Sequence, residues 1–405
     1  MSGSPHEPPT SDEREWILTV GPGHPAAHGP MAFRLRVAAS GAAEVITWAE
    51  PLVYPLHRGA EKLFESRDYR QILMLADRHD WHSAFGSELG LALTAESMLG
   101  IVVPERATWI RTLMAELNRA VHHLRWLGET AWEVDQHTTP GAQVSTAQAS
   151  ARGASVALAA GPLRDQARAA RERLIGLQEA ISGGRMHPML VQPGGLRADS
   201  PEGWTTDIQQ AIAVVAPITT YLRDWVNSSR RIEGVAVMPL EQALAFGTSG
   251  PVARASGLAL DLRFDDPYCA YPHLISAGVL RRVTAQTGDA QARLRLLADQ
   301  LEVSLQAVAF CAERLDALGP GPVAVKLPRS FRIPEGDGYG WTENPTGING
   351  WYLVSRGGTE PYRLKLRTAS FANAQALCAI LAGSPIADLP IALMSFLLVA
   401  GDLAK

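Results

Sequence analysis

Cysteine is nearly missing from this chain. Only Cys269, Cys311 and Cys378 occur in 405 residues, far apart and odd in number. That excludes a disulfide framework and any CxxC metal site, and it fits a reducing compartment. A membrane-spanning run is missing as well. The one segment that invites such a reading is Leu389 to Gly401, LPIALMSFLLVAG. Its uncharged stretch falls short of the roughly 20 residues a bilayer needs. Asp388 blocks its extension upstream, so a core helix is expected there. No excess of one charge exists: Lys and Arg number 37 against 41 Asp and Glu, a net charge of −4. That balance argues against nucleic-acid binding through bulk charge. No P-loop, GxGxxG turn, GxSxG elbow, HExxH helix or papain-like cysteine context occurs. Met1 to Arg14 lacks the basic-then-apolar layout of a secretory signal and reads as a mobile tail.

What is present is the composition of a packed globular protein, 46% apolar and 19% charged. From Trp16 the segments WILTV, FRLRV and AEVITWAE read as strands, with GPGHPAAHGP and ASGA as loops between them. After Pro104 the pattern turns helical. Ile110, Leu113, Met114, Leu117, Val121, Leu124 and Leu127 form one apolar face, and Gly128 is a plausible end. The other face carries Arg111, Glu116, Arg119 and His123. Further long helices are expected at 144–182, 204–228 and 286–317. VAVKLP, WYLVS and YRLKLR then read as strands with Gly-rich connections EGDGYG and RGGTEP. The expected layout is a tail over 1–14, β structure and first helices over 15–103, a helix bundle over 104–320, and a β-then-helix segment over 321–405. All but the tail is expected to form one integrated unit.

Two segments concentrate chemistry. The loop GPGHPAAHGP holds His24 and His28 between prolines and glycines. It can serve as a proton-exchanging pair, though on the residues alone a structural turn whose histidines bond the backbone is favoured. The segment from Ala76 to Ser83, ADRHDWHS, packs five titratable groups and Trp81 into eight residues. His79 and His82 at a three-residue spacing on a helix can begin a metal site, but a third ligand is missing, and a solvated or salt-bridged helix face is favoured. His122 and His123 are expected to point apart from their helix, so both cannot serve one metal.

The blocks GPGHPAAHGP, LHRGAEKLFESRDYRQ, LGIVVPERATWIRTLMAELNRAVHHLRWLGE, SGGRMHPMLVQPGGL, FGTSGPVARASGLALDLRFDDPY, EGDGYGWTENPTGINGWYLVSRGG and PYRLKLRTASFANAQAL occur in that order. Together they resemble the quinone-site D subunit (49-kDa type) of respiratory complex I, a family related to the large subunit of nickel–iron hydrogenases. The resemblance covers residues 18–390. It implies an α+β, mainly helical fold of the hydrogenase large-subunit type, with a central long-helix bundle and β structure at both ends. It implies a quinone-binding role in an NADH–quinone oxidoreductase that couples electron transfer to proton translocation. The chain would act as part of that enzyme and not alone, peripheral on the cytoplasmic face of the cell membrane. Its implied partners are a small subunit carrying the terminal iron–sulfur cluster, a C-type subunit and a membrane-arm subunit. The resemblance gives this chain no cluster, no nicotinamide and no other prosthetic group. The hydrogenase CxxC pairs are missing, which excludes a nickel–iron centre.

Carried over residue by residue, His28 stands where the family histidine bonds a quinone carbonyl. Trp81 stands where a tyrosine holds the other carbonyl. Its indole N–H can donate but cannot give up a proton as a phenol does. Glu133, with Asp135 two residues on, stands where an aspartate partners the histidine. Arg78 and His187 match the pair beside the cluster, and Gln192 replaces an arginine. SFLLVAGDLAK departs from the family's DPVxGExDR-like ending. Trp81, Gln192 and that ending also suit an alternative, a structural or assembly paralogue that keeps the fold without quinone chemistry.

Overall fold

A computed structural model describes residues 12–21, 29–41, 43–53, 56–137 and 157–405. His24, His28 and the stretch 144–156 expected to begin a helix lie outside them. Strands β1 (Glu13–Val20), β2 (Met31–Ser40) and β3 (Ala43–Leu52) form an antiparallel sheet in the order β1-β2-β3. β1 thus begins inside the stretch expected as tail. The alternation in FRLRV puts Phe33, Leu35 and Val37 in the core, as a period of two requires.

Short helices α1 (Ala60–Phe64) and α2 (Tyr69–Ala76) lead into α3 (Ala84–Leu99) and α4 (Glu105–His137). Asp68 and Gln71 close a reciprocal cap at the start of α2. α4 runs past Gly128, which was expected to end it. Glycine is there for a different reason: a Cβ would come within 2.8 Å of the Ala167 side chain on α5 (Ala157–Ser182). The missing side chain lets two long helices touch. α4 is buried on both faces, because Arg111, Glu116, Arg119 and His123, expected on an outer face, are all 1% exposed or less.

A short hairpin of β4 (Val191–Gln192) and β5 (Gly195–Leu196) precedes α6 (Trp204–Ser228). Four short helices follow: α7 (Leu240–Ala245), α8 (Gly250–Ala255), α9 (Leu262–Asp265) and α10 (Tyr271–Ser276). Then comes α11 (Ala290–Leu318), capped where Asp289 accepts from the Ala292 amide. α4 packs against α5 and α11, and α11 against α6, which makes the expected bundle.

The second antiparallel sheet is β6 (Gly336–Asn344), β7 (Gly347–Ser355) and β8 (Arg363–Arg367). Its first strand contains the glycines read as a connection. They serve close approach, since a Cβ at Gly340 would meet the α3 backbone at Thr94, 3.1 Å away. VAVKLP is not a strand; only Ala324 pairs, with Gly195. Prolines at 320, 322 and 328 bracket it and have no N–H to continue a ladder. α12 (Ala369–Ile380) leads to α13 (Leu389–Ser395) and α14 (Ala400–Leu403). The single core helix expected over 389–401 is thus broken, at Leu397 with a φ of 56°. The break turns the chain so that the Val399 amide donates to Ser370 Oγ.

Candidate functional site

The turn between α2 and α3 is the meeting point of the molecule. Residues 77–83 are not a solvated helix face: Asp77, His79, Asp80 and His82 are all under 9% exposed. The C-terminal segment is folded over them, which sequence spacing could not show. A Cβ on Gly401 would lie 2.5 Å from both the His79 carbonyl and the Trp81 ring, so only glycine allows this closure. On another side of the same ring lies Gly29, whose added Cβ would stand 3.2 Å from the indole. Trp81 is therefore clasped by the end of the histidine loop and by the C-terminus.

Arg78 and His187 do come together, through a residue the sequence did not single out. Asp77 is fully buried; its Oδ1 lies 3.1 Å from Arg78 Nε and its Oδ2 lies 3.0 Å from His187 Nδ1. Arg78 also reaches Met189 Sδ at 3.5 Å. Behind them sits Glu88, wholly buried on α3, accepting from the Leu190 amide while its Oε2 has no hydrogen-bond partner among the described residues. Burial first, and then the Asp77 charge, lift the Glu88 carboxyl far above the ordinary range. Beside Arg78, a cleft of about 160 Å³ is lined by Leu63, Phe64, Arg78, His79, Gly401 and Lys405.

Three more titratable groups are linked behind Trp81. Asp80 Oδ1 accepts from the Ser83 amide at 3.1 Å, fixing the turn. His79 Nε2 lies 3.2 Å from Asn349 Oδ1 and 3.7 Å from Asp402. Burial, and then the neighbouring Asp402, push Asp80 up to about 6. Burial raises Asp402 and lowers His79. Each of the three is driven toward its neutral form. The crowd of charges in ADRHDWHS was the signal for this cluster; Asp402 and Glu88 had none of their own.

Glu133 and Asp135 lie near the end of α4 and are half-buried, with burial raising the Asp135 carboxyl. Arg125, the last α4 residue on the cleft beside Trp81, stands eight residues before Glu133, roughly 12 Å along a helix. No group of three His, Cys, Asp or Glu among the described residues is arranged to hold a metal. No described helix is long and apolar enough to cross a membrane.

The family model for the respiratory-chain NADH dehydrogenase 49 Kd subunit matches residues 166–330 and 323–405. A D-type subunit of the NADH-quinone oxidoreductase of Streptomyces coelicolor is 45% identical, covering 98% of this chain and 96% of its own. The corresponding D-type subunit of Geobacillus thermodenitrificans is 33% identical over 96% of this chain and 98% of its own. A chain in the membrane-bound sulfane sulfur reductase, an archaeal respiratory membrane complex, superposes with a TM-score of 0.82. It is 29% identical and covers 98% of this chain.

Proposed function

This chain belongs to the respiratory-chain NADH dehydrogenase 49 Kd subunit family, and on that premise we propose that it forms the quinone headgroup site of a complex I-like oxidoreductase. The observation that carries the reading is the convergence on one turn. Arg78 and His187, far apart in sequence, share Asp77, and Trp81 four residues on touches Gly29, which follows His28. In this reading the quinone headgroup is the substrate, and the cluster that reduces it sits on a partner small subunit against Arg78 and His187. Those two groups, cationic or titrating, raise the cluster's potential and tie its reduction to protonation. Asp77 orients both.

At the quinone, Trp81 donates its indole N–H to one carbonyl, and His28 donates to the other and supplies a proton. Glu133 or Asp135 supports the charged form of His28. Proton translocation follows in the membrane arm. The chain sits peripherally on the cytoplasmic face, held by the cluster-bearing, C-type and membrane-arm subunits. Reduction of quinone by the assembled complex is the test. His28→Ala should slow it at least tenfold and leave NADH oxidation by an artificial acceptor unchanged, whereas Trp81→Tyr should preserve or raise it. A wild-type complex that reduces quinone, with a His28→Ala variant of equal rate, would remove His28 from the mechanism. If the wild-type complex binds no quinone, the chain is a structural paralogue.

A further inference from the structure

Beyond Trp81 the same turn borders a second, narrow cleft, open to solvent and lined by Trp81, His82, His122, Arg125, Arg171 and Arg185 among others. Its arginines and the His122 imidazole offer protons rather than lone pairs, and for His122 a chain of hydrogen bonds running in from the core makes this so. Arg254 Nε and Nη2 lie 3.2 and 2.8 Å from one terminal atom of the Gln300 amide; both can only donate, so that atom is assigned as the amide oxygen. The amide nitrogen therefore faces His123 Nε2 at 3.1 Å and donates to it. A neutral imidazole carries one N–H, so His123 holds its proton on Nδ1. That atom lies 3.1 Å from His122 Nδ1 and donates to it. His122 must then carry its own proton on Nε2. Both rings are neutral: burial, then the Arg119, Arg125 and Arg171 charges, hold His122 at about 3, and burial with His122 holds His123 well below the usual histidine range. His122 is 2% exposed, stacks on Trp126, and its Nε2 has no partner among the described residues.

The cations around that N–H are short of anions. Glu179 and Glu172 both engage Arg185, and Glu172 is also the partner of Arg171 at 2.8 Å. Glu129 pairs with Arg168 at 2.7 Å. No hydrogen bond or ion pair joins Arg125 to any described carboxylate, although Glu129 lies close enough to act on its charge, and Arg171 Nε is buried without a hydrogen-bond partner among the described residues. Burial, and then Arg171, push the Arg125 guanidinium below its ordinary range.

We propose that this cleft is a binding site for a small oxyanion, a phosphate or carboxylate group, held by Arg125, Arg171 and the Nε2–H of His122. An oxyanion accepts several charge-assisted hydrogen bonds at once and satisfies each of these donors. The site stands whether or not a quinone binds at Trp81.

Inorganic phosphate titrated into the full-length chain at constant ionic strength, with chloride as the balancing ion, tests it. Calorimetry should show one saturable site, and the ring-nitrogen NMR signal of His122 should report the Nε2–H tautomer and shift as phosphate is added. Arg125→Gln, a half-exposed position that leaves the helix core intact, should weaken binding at least tenfold. Arg168→Gln, outside the cleft, should change it less than twofold. Acetate that displaces phosphate marks a site for oxyanions in general; acetate without effect narrows it to phosphate. Absence of saturable binding, equal affinity in the Arg125→Gln variant, or a His122 signal that ignores phosphate would overturn the site. The His122 readout needs no variant, so misfolding of Arg125→Gln leaves the test intact.

Discussion

Two buried clusters of charge, one around Glu116 and one around Asp80, are built in opposite ways. Glu116 accepts from Tyr271 at 2.6 Å and Ser304 at 2.7 Å, and it lies 3.3 Å from both Arg119 and Arg263. Arg263 also binds Asp261 at 2.7 Å, and Arg254 binds Glu343 at 2.6 Å. Burial works to raise the Glu116 carboxyl, but Arg119 and Arg263 outweigh it and hold the group at about 2. Around Asp80 no arginine among the described residues is paired with the carboxylate. Burial and the nearby Asp402 set its carboxyl at about 6, and burial with the Asp77 charge lifts Glu88 well above its ordinary range. The first cluster locks charges in pairs and serves the bundle. The second keeps acids near their point of protonation beside Trp81, which is the pattern of a functional site.

The comparison breaks first at Glu116. Glu116→Ala strands Arg119 and Arg263 in the core without their shared carboxylate, and such a loss costs about 3–5 kcal/mol. A chemical-denaturation curve of the purified chain should show that fall, and an unchanged midpoint would mean the network is not holding the bundle. Asp77→Asn should have the next largest effect, on function rather than folding. It removes the negative charge facing Arg78 and a charge-assisted hydrogen bond to His187 worth about 1.5–3 kcal/mol, so quinone reduction should drop roughly tenfold or more. Oxidation of NADH by an artificial acceptor in the same complex should stay constant. If both rates fall together, Asp77 matters to assembly and not to the site.

The smallest effect sharpens the contrast through pH. Asp80 has its carboxyl raised, so the folded state favours the protonated form. Its contribution to stability is full below about 4 and is lost as pH rises through about 6. Asp80→Asn removes that loss, and the variant should gain stability over the parent between pH 4 and 7, by on the order of 2 kcal/mol. Glu116 has the opposite sign: its contribution is full above about 4.5 and disappears as pH falls through about 2. Melting temperatures measured from pH 4 to 8 decide it, and parallel curves for parent and Asp80→Asn would refute the assignment.

Much of the frame was legible in the sequence because periodicity reports burial on one element at a time. The three strands before residue 53, α6 at Trp204–Ser228 and α11 at Ala290–Leu318 follow from it. What it missed depends on a second element. Gly128 reads as a helix end until Ala167 is seen against it, and EGDGYG reads as a loop until Thr94 is seen beneath Gly340. The site divides the same way. Arg78, His187 and Trp81 were named from the family resemblance, and their neighbourhood follows from the fold. Asp77 as shared partner, and Gly401 closing over Trp81, are contacts between distant segments that no local pattern encodes.

The central claim, that quinone binds at the turn carrying Trp81, is tested most directly by photolabelling. A quinone with a photoreactive group on its ring would be irradiated in the assembled complex and the labelled peptides identified. The label should fall on the peptide containing Trp81 or on residues 399–405, and excess unmodified quinone should abolish it. Labelling confined to other subunits, or label on these peptides that excess quinone does not displace, would contradict the claim.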